Sequence, residues 1–422
     1  MRITFRLISC ILFSSLCINS QNLTIHHIDV GQGDATFIQV ANGKNLLLDA
    51  GDRGKGSNMV LPYLKALGIT SIDYLVASHY HSDHIGGSNE VIEGLSPDSI
   101  RAIYDRGFRD PLPSSKVFAI YRSLAERNPL HTAVNPGQVI HLSENVILQC
   151  FASDGLLFKR DTQTAPSRKE ESGNMMDEND RSLVWVLTYT RKNAHRTSTF
   201  RYFTGGDWSD PENTSLVTGI GDVDAMKVSH HGSASATNHS LVDILEPEAA
   251  VISVGDGNRY GHPRQECLDC LQNATSVRYI YQTEKGAGGW TPKVRGVGNV
   301  VISVFDGYYV VAKDTFWLKA DTVYGFNGVP AETGHDSTSR AKVNAEDGNE
   351  ESFVQIDVDD SGPATFSLSN ILGHVLWIRP LQCPFSSPFR LDLHSLHLPP
   401  GIYFLNLQTS SQQSVKKIIV LR

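Results

Sequence analysis

The sequence predicts an α/β fold in which two β-sheets pack face to face under outer helices, followed by a small all-β domain. Three observations support this class. Short apolar runs alternate with helical patterns up to about residue 313, a polar segment without aromatic residues covers 327–352, and closely spaced β-like runs return after residue 353. The chain has 422 residues, which is enough for one large domain and one small domain.

The composition excludes several classes of protein. Charged residues make up 19% and aromatic residues 9% of the sequence, an ordinary globular balance that rules out wholesale disorder and fibrous repeats. The formal net charge is -8, so the chain does not hold nucleic acid through its overall electric field. A bound polyanion therefore needs a local positive site, such as metal ions, and a simple nucleic-acid-binding module is disfavoured.

Residues 1–20 are predicted to be a secretory signal peptide. Arg2 and Arg6 make the N-terminal region positively charged, residues 7–18 form a short apolar run, and residues 19–20 are small and polar. The alternative is a buried first strand or helix. Because the apolar run is too short to cross a bilayer, we expect an exported protein, secreted or at the cell surface, with no stable membrane span.

Residues 21–313 are predicted to form the main domain. A helical pattern over residues 58–67 stops at Gly68, and a charged polar insert covers residues 159–181. Apolar runs bounded by glycine-rich turns predict the strands. These strands lie, in chain order, at residues 23–29, 35–40, 45–49, 73–77, 146–151, 182–189, 199–203, 224–228 and 249–254.

Residues 314–352 are predicted to be a linker, and residues 353–422 a C-terminal β-sandwich. Asp, Glu, Ser, Asn and Gly dominate the linker, a composition that buries little apolar surface. The spacing of the apolar runs that follow is typical of a small sandwich. These runs lie at residues 353–358, 364–368, 374–378, 401–407 and 415–421.

Two segments of the C-terminal domain resemble a known sorting domain. GIYFL at residues 401–405 and KKIIV at residues 416–420 resemble the C-terminal sorting domain of Bacteroidetes type IX secretion substrates. The resemblance implies that secretion machinery is a partner of this domain. A structural or carbohydrate-binding sandwich is the alternative.

A cluster of metal-ligand side chains directly follows the predicted strand at residues 73–77. His79, His81, Asp83 and His84 stand close together at the end of this apolar run. In an extended segment His79 and His81 point the same way and bind one ion together, and a glycine turn lets the next two side chains face a second ion. A single histidine is usually a core or surface residue, but four clustered ligand-type side chains indicate a metal site.

This cluster resembles the H-x-H-x-D-H signature of the metallo-β-lactamase superfamily, and other landmarks of that superfamily follow in order. LLLDAG at residues 46–51 resembles its first motif, FTGGD at 203–207 the strand that ends in a metal-bridging Asp, and SHHGS at 229–233 the final histidine motif. The resemblance implies an αββα sandwich in which Asp49 braces the metal loop through hydrogen bonds.

Three further segments are similar to ComEC-type proteins. They are DVGQGDA at residues 29–35, NDRSLV at 179–184 and YGHP at 260–263. This branch of the superfamily includes the soluble domain of a competence DNA-uptake channel and stand-alone secreted hydrolases. The resemblance therefore implies a hydrolase that acts on phosphodiesters.

The resemblance also implies a ligand set. It assigns His79 and His81 to one divalent ion and Asp83 and His84 to a second, with Asp207 as the bridge. The last histidine motif supplies His230 as the remaining ligand of the second ion and His231 as a residue that contacts substrate, or the reverse.

The sequence departs from the superfamily at the third ligand of the first ion. Most members supply a histidine there, but His131, His141 and His195 match no motif, and the family position is held by Asn179 or Asp180. The first ion is then weakly held or bound only with substrate. The alternative is that Asn179 and its neighbour merely turn the chain into the next strand.

The predicted chemistry uses two divalent ions, Zn²⁺ or Mn²⁺, as cofactors. Two ions roughly 3.5–4 Å apart share a hydroxide that attacks phosphorus, so neither a serine nor a cysteine nucleophile is needed. We expect Asp83, His231 and His262 to be catalytic, with His262 contacting a phosphate oxygen or protonating the leaving group. Its alternative role is that of a helix-capping residue before Pro263. Residues predicted to bind substrate are Gln32, Asp34 and Asn179.

The predicted function is that of a secreted phosphodiesterase, of which a nuclease that degrades extracellular DNA is one form. The net charge of -8 disfavours long DNA and leaves smaller phosphodiesters unaffected. One alternative is a metallo-hydrolase of another ester or amide, such as a phosphocholine ester, a lactone or a β-lactam. A non-catalytic surface protein that keeps the fold is the other alternative.

Overall fold

The computed structural model describes residues 22–95, 99–158, 165–166, 176–192, 197–209, 219–288, 291–296, 298–318 and 343–344, and six strands between residues 353 and 420. The predicted signal peptide lies outside these residues. By its contacts the chain divides into two units, Met1–Ala331 and Glu332–Arg422, and the division falls inside the predicted linker.

The first sheet of the larger unit has nine strands among the described residues. Its first half is antiparallel and its second half parallel, because helices connect the later strands. From edge to edge the strands are Asp314–Trp317, Tyr308–Val311, Val300–Val304, Leu23–His27, Thr36–Val40, Asn45–Leu48, Ile72–Val76, Ile100–Asp105 and Thr132–Ala133.

The second sheet of this unit has ten strands within the described ranges. Nine of them follow the order Ala165–Pro166, Leu156–Leu157, Val146–Ser153, Val184–Lys192, Thr197–Thr204, Ala225–Lys227, Ala249–Ile252, Tyr279–Gln282 and Val294–Arg295. Val139–His141 pairs with Val146–Ser153 beside this path. The strands from Thr197–Thr204 onward are parallel.

Helices connect the parallel strands of both sheets. The predicted helix at residues 58–67 is a π-helical turn followed by an α-helix that ends just before Gly68, whose φ is +75°. The described helices are Gly56–Val60, Leu61–Ala66, Ser82–Ile85, Ser88–Leu95, Lys116–Ala125, Asn179–Arg181, Ser229–Gly232, His239–Leu245 and Gln265–Asn273.

Three apolar cores show the layering of the domain. The strand Asn45–Leu48 places Leu46 and Leu48 in a core that also contains Trp185 and Tyr202 of the second sheet, so this core lies between the sheets. Its middle residue Leu47 belongs instead to a core shared with helical residues, because successive strand residues point to opposite faces.

The outer face of the second sheet has its own core. Phe203 and Met226 of that sheet share this core with Leu241 and Leu268 of two helices. Helix, sheet, sheet and helix therefore form the αββα sandwich that the motifs predicted, and this prediction is confirmed.

The first sheet continues beyond the predicted end of the main domain. Asp314–Trp317 pairs with Tyr308–Val311 as an edge strand. Its alternating burial places Phe316 in the core, while Thr315 is exposed. The first residues of the predicted linker therefore belong to the sandwich.

The smaller unit is all-β in its described part, as predicted. One sheet has the order Val343–Asn344, Phe353–Ile356 and Phe389–Asp392, and another has the order Val375–Cys383, Gly362–Asn370, Gly401–Gln408 and Gln413–Val420. The strand Phe389–Asp392 was not predicted from the sequence. Across all described residues of the chain, the helices are too short or too polar to cross a membrane.

Candidate metal centre

The predicted ligands follow the carboxyl ends of parallel strands in both sheets. Ile72–Val76 leads into the loop with His79 and His81, and Asn45–Leu48 leads into Asp49. In the other sheet, Asp207 follows Thr197–Thr204. Loops after the carboxyl ends of parallel strands gather at one edge of a sheet, so the fold brings these side chains together.

One group of buried ligand atoms comes from both sheets. Atoms of Asp34, His84, Asp207 and His231 all lie within 4.8 Å of one another. His84 Nε2 is 3.2 Å from Asp207 Oδ1, and His231 Nε2 is 3.5 Å from Asp207 Oδ2. Asp83 also faces this group, since its Oδ2 atom is 3.3 Å from His231 Nε2.

A second group shares Asp207 with the first. It contains His79 and His81, whose Nε2 and Nδ1 atoms are 3.0 Å apart, and His79 Nε2 is 4.0 Å from Asp207 Oδ2. Two ligand groups with one carboxylate in common are the arrangement expected of a pair of ions bridged by Asp207.

The side chains of the first group fit a divalent ion. His84 Nε2, His231 Nε2 and Asp207 Oδ1 are buried and have no hydrogen-bond partner among the described residues. Buried polar atoms without partners are costly, and a cation contacted by all three removes that cost. Imidazole nitrogen and carboxylate oxygen are ligands of zinc and of other divalent metals.

The other nitrogen of each histidine ring is already engaged. His84 Nδ1 is 2.8 Å from Asp49 Oδ2, and His231 Nδ1 is 2.9 Å from the Ser253 carbonyl oxygen. Asp49 also accepts hydrogen bonds from the Ser78 amide at 2.8 Å and the Ser78 hydroxyl at 2.7 Å. These contacts orient both rings with Nε2 toward the ion position. They are the bracing contacts that the motif predicted for Asp49.

A buried Lys227 neutralises Asp34. The Lys227 Nζ atom contacts Asp34 Oδ2 and donates to the Gly206 carbonyl oxygen at 3.0 Å. Burial alone lowers the pKa of Lys227, but the carboxylates of Asp34, Asp207 and Asp49 together outweigh it and the net shift is upward. Lys227 was not predicted as a site residue, although a lysine inside an otherwise apolar strand is an unusual signal.

The carboxylates and histidines shift one another's pKa values in the metal-free chain. Burial raises the pKa of Asp207, but His84 and His231 outweigh it and hold the pKa well below its ordinary value. Burial lowers the pKa of His231, and Asp207 and Asp34 outweigh it and raise the pKa to about 10. A proton on His231 would therefore compete with a metal ion for the same nitrogen.

His231, rather than His230, lies in the buried ligand group. His230 Nε2 is 3.7 Å from Asp207 Oδ2, and its side chain is 24% exposed against 1% for His231. Both residues have positive φ, 51° and 53°, so the chain turns sharply between the two rings. Of the two assignments left open by the sequence, the geometry favours His231 as the ligand and His230 as part of the cavity wall.

A cavity of about 310 Å³ opens onto the two ligand groups. It is lined by eight of the predicted site residues and by two that were not predicted, Ser82 and Tyr260. The predicted residues are Gln32, His81, Asp83, Asn179, Asp207, His230, His231 and His262. Asp34 and His79 are buried behind this lining.

The turn at residues 31–34 approaches the metal loop closely. Gly33 has a φ of +141°, and a Cβ atom there would lie 2.5 Å from the Asp83 carbonyl oxygen. The Asp34 amide donates to that same oxygen at 3.1 Å. Only glycine fits at this position.

Of the candidates for the missing third ligand that lie among the described residues, Asn179 alone lines the cavity. Its Oδ1 atom is buried without a hydrogen-bond partner among the described residues. Asp180 accepts instead from the Ser209 hydroxyl at 2.7 Å. His131 is 2.8 Å from Asp105, His141 lies in the strand Val139–His141, and His195 lies outside the described residues.

A buried carboxylate joins the Asn179 segment to the histidine loop. Glu178 accepts from the Tyr80 amide at 2.9 Å and from Arg106 Nε and Nη2 at 2.9 and 2.7 Å. Arg106 also donates to Asp154 at 3.0 Å, and its guanidinium lies 4.3 Å from the Tyr80 ring centroid. Glu178 thus fixes the backbone between His79 and His81. It was missed because it lies in the charged insert.

Comparison with known proteins agrees with this fold. Residues 28–114 match the metallo-beta-lactamase superfamily, and residues 350–421 match a secretion system C-terminal sorting domain. The chain therefore carries a metallo-β-lactamase domain with a candidate metal site, followed by a sorting domain. Both parts of the resemblance seen in the sequence are confirmed.

The sandwich is also related to proteins of the ComE and ComA type. ComE operon protein 3 of Bacillus subtilis is 26% identical over 296 residues, 65% of this chain and 34% of that protein. Recombination protein 2 of Haemophilus influenzae is 25% identical over 254 residues, 59% of this chain and 26% of that protein. The chain thus spans about a quarter to a third of these relatives, which are distant homologues.

Solved structures to which the chain is similar are more remote. The metallo-beta-lactamase fold protein YhfI from Bacillus subtilis is 11% identical, with a TM-score of 0.37, and the match covers 62% of this chain and 98% of that one.

Proposed function

We propose that this protein is an exported phosphodiesterase that uses two divalent ions, Zn²⁺ or Mn²⁺. The observation that carries the proposal is the pair of ligand groups that share Asp207. Two ions held in this way supply Lewis-acid chemistry, since they lower the pKa of water and neutralise the charge of a phosphate.

The ligand groups suggest which residues hold each ion. His79 and His81 hold the first together with Asp207, and His84 and His231 hold the second with the same carboxylate. Asp83 adds a partly exposed carboxylate to the second group, with its oxygen 3.3 Å from His231 Nε2. Asp34 lies behind this group, and Lys227 compensates its charge. It therefore positions the ligands and does not contact substrate.

Residues of the cavity wall would bind the substrate. Gln32 and Asn179 present neutral amide groups to the cavity, and such groups accept or donate hydrogen bonds to an ester without repelling its negative charge. Asn179 Oδ1, which has no partner among the described residues, is free to complete the coordination of the first ion or to meet the substrate.

His262 is placed to contact the phosphate. Its Nδ1 atom is buried without a described hydrogen-bond partner, and its backbone is held by Asn258, which accepts from the His262 amide at 2.9 Å. Burial, and then the neighbouring His231, lower the pKa of His262 to about 4, so its ring is neutral near pH 7. This favours a hydrogen bond to a phosphate oxygen over donation of a proton to the leaving group.

The relatives favour a phosphodiester substrate over a lactone or a β-lactam. One is named a recombination protein, and another, from Neisseria gonorrhoeae and 26% identical over 240 residues, is named competence protein ComA. These names belong to proteins of which this chain spans only a part. DNA is therefore one candidate substrate, beside smaller phosphodiesters.

Export is the second half of the proposal. The sorting-domain match at residues 350–421 supports secretion machinery as a partner and the cell surface or the medium as the destination. Detection of the protein in culture medium, and its loss when residues 350–421 are deleted, tests this part. Retention of the intact protein inside the cell would contradict it.

The enzymatic part is tested with the purified chain, loaded with Zn²⁺ or Mn²⁺. We expect cleavage of bis(p-nitrophenyl) phosphate, and loss of cleavage in Asp207→Ala. Asp269→Ala, which changes an exposed carboxylate on Gln265–Asn273, is the matched control. Labelled DNA in the same assay tests nuclease activity. Bound metal without cleavage of either substrate would refute the phosphodiesterase.

A further inference from the structure

A series of aromatic rings leads from the ligand group to the mouth of the cavity. The His231 and His262 ring centroids are 6.3 Å apart with an interplanar angle of 25°, and the His262 and Tyr260 centroids are 5.8 Å apart with an angle of 24°. His231 is fully buried, whereas Tyr260 is 44% exposed. The outermost ring thus reaches solvent while still lining the cavity.

An exposed arginine covers Tyr260. The Arg259 guanidinium carbon lies 5.0 Å from the Tyr260 ring centroid, and its Nη2 atom donates to the Tyr260 hydroxyl at 2.9 Å. Because the arginine is itself exposed, it leaves the ring or shifts along it at little cost. A nucleobase stacked on an aromatic side chain gains more than an exposed cation–π contact does.

We propose that Tyr260 and Arg259 form a subsite for a nucleobase next to the phosphate that is cleaved. The inference rests on the proposed phosphodiesterase and narrows its substrate to nucleotide phosphodiesters. The base stacks on Tyr260, and Arg259 faces the phosphate backbone. In a chain of net charge -8, such a cation at the mouth offsets the repulsion of a polyanion locally.

Arg259 also distinguishes between two chemical groups that both bind to aromatic rings, a quaternary ammonium and a nucleobase. A quaternary ammonium, as in phosphocholine, binds over tyrosine faces. Arg259 precedes Tyr260 in the chain, so its permanent charge stays beside the ring even when the guanidinium shifts, and it repels a second cation. A neutral planar base meets no such repulsion, so the subsite favours nucleotides over phosphocholine esters.

The test compares two esters with the same leaving group, thymidine 5′-(p-nitrophenyl phosphate) and methyl p-nitrophenyl phosphate. The measured quantity is the ratio of their kcat/KM values. We expect Tyr260→Leu to lower this ratio roughly tenfold, and Tyr260→Phe to keep it, since stacking needs the ring and not the hydroxyl. Tyr308→Leu, at a partly buried tyrosine outside the cavity lining, is the control.

The outcomes separate the subsite from the proposed function. If both esters are cleaved and the ratio of their kcat/KM values is the same in wild type and in Tyr260→Leu, the subsite is overturned while the phosphodiesterase stands. Absence of cleavage in wild type would overturn the phosphodiesterase, and binding of thymidine 5′-monophosphate by calorimetry then tests the subsite. A Kd for that nucleotide that Tyr260→Leu leaves unchanged would also overturn it.

A third ester tests the role of the arginine. We expect Arg259→Gln to improve kcat/KM for p-nitrophenyl phosphorylcholine relative to the thymidine ester, because the repelling charge is removed. A lower value for the choline ester in Arg259→Gln would contradict the assignment of a nucleobase to this subsite.

Discussion

Replacement of Glu178 by alanine removes the carboxylate that joins the Asn179 segment to the histidine loop. Three hydrogen bonds are lost, two from Arg106 and one from the Tyr80 amide. The Arg106 side chain is 0% exposed and Glu178 only 10%, so this is a buried ion pair. A fully buried guanidinium that loses one partner cannot be rescued by water.

The size of the effect follows from this burial. Loss of one partner of a buried pair costs about 3–5 kcal/mol. Asp154 remains 3.0 Å from Arg106 and keeps part of the charge compensated. We therefore expect the lower end of the range, about 3 kcal/mol, which corresponds to a fall in Tm of roughly 6–12 °C for a domain of this size.

Urea unfolding of the metal-free chain measures this loss without a contribution from bound ions. The control is Glu126→Ala, which breaks the exposed Arg122–Glu126 pair, whose side chains are 43% and 49% exposed. That pair is worth less than about 1 kcal/mol. Metal affinity should fall in Glu178→Ala and not in the control, because Glu178 holds the amide of Tyr80, which lies between the proposed ligands His79 and His81. Equal losses of stability and unchanged metal affinity in both variants would refute the reasoning.

Four further outcomes are expected. Chelation should abolish activity and lower Tm, and added Zn²⁺ or Mn²⁺ should restore both, as thermal scans will show. His262→Ala should lower kcat/KM at least tenfold with metal content unchanged, measured by metal analysis. Gly33→Ala should lose metal affinity, measured by competition with a chelating dye, because its Cβ meets the Asp83 carbonyl oxygen. Burial lowers the pKa of His26 to about 4. Because the folded state holds this ring neutral, the free energy of unfolding should be unaffected above pH 6.5 and should fall by about 3 kcal/mol as the pH drops toward 4. Unfolding of His26→Asn should show a weaker pH dependence.

Local sequence patterns predicted nine strands of the sandwich and the ligand loop because each depends on neighbouring residues. Other strands, among them Ile100–Asp105, Tyr279–Gln282 and Val300–Val304, were not predicted. His79, His81 and His84 stand together in the sequence, and the strand that precedes them is apolar apart from Asp73. Asp49 and Asp207 were found through motifs at strand ends. The parallel strands of each sheet then place each of these residues at one edge of its own sheet.

Contacts between the two sheets were not predictable from such patterns. The Lys227–Asp34 pair joins residues far apart in the sequence, and nothing near either residue indicates the other. The choice between His230 and His231 depends on two successive residues with positive φ, a conformation that residue type alone does not predict. The strand Asp314–Trp317 was missed because it is short and borders a polar segment.

The ligands also have a consequence for how the protein acquires its metal. His79, His81 and His84 follow strands of one sheet, and Asp207 and His231 follow strands of the other, so ions bound by these side chains would lie between the two sheets. An unfolded chain has no such site, and metal binding is coupled to folding. An exported chain that folds only after translocation would load its ions from the medium. The identity of the metal then reflects the surroundings of the cell more than the metals available inside it.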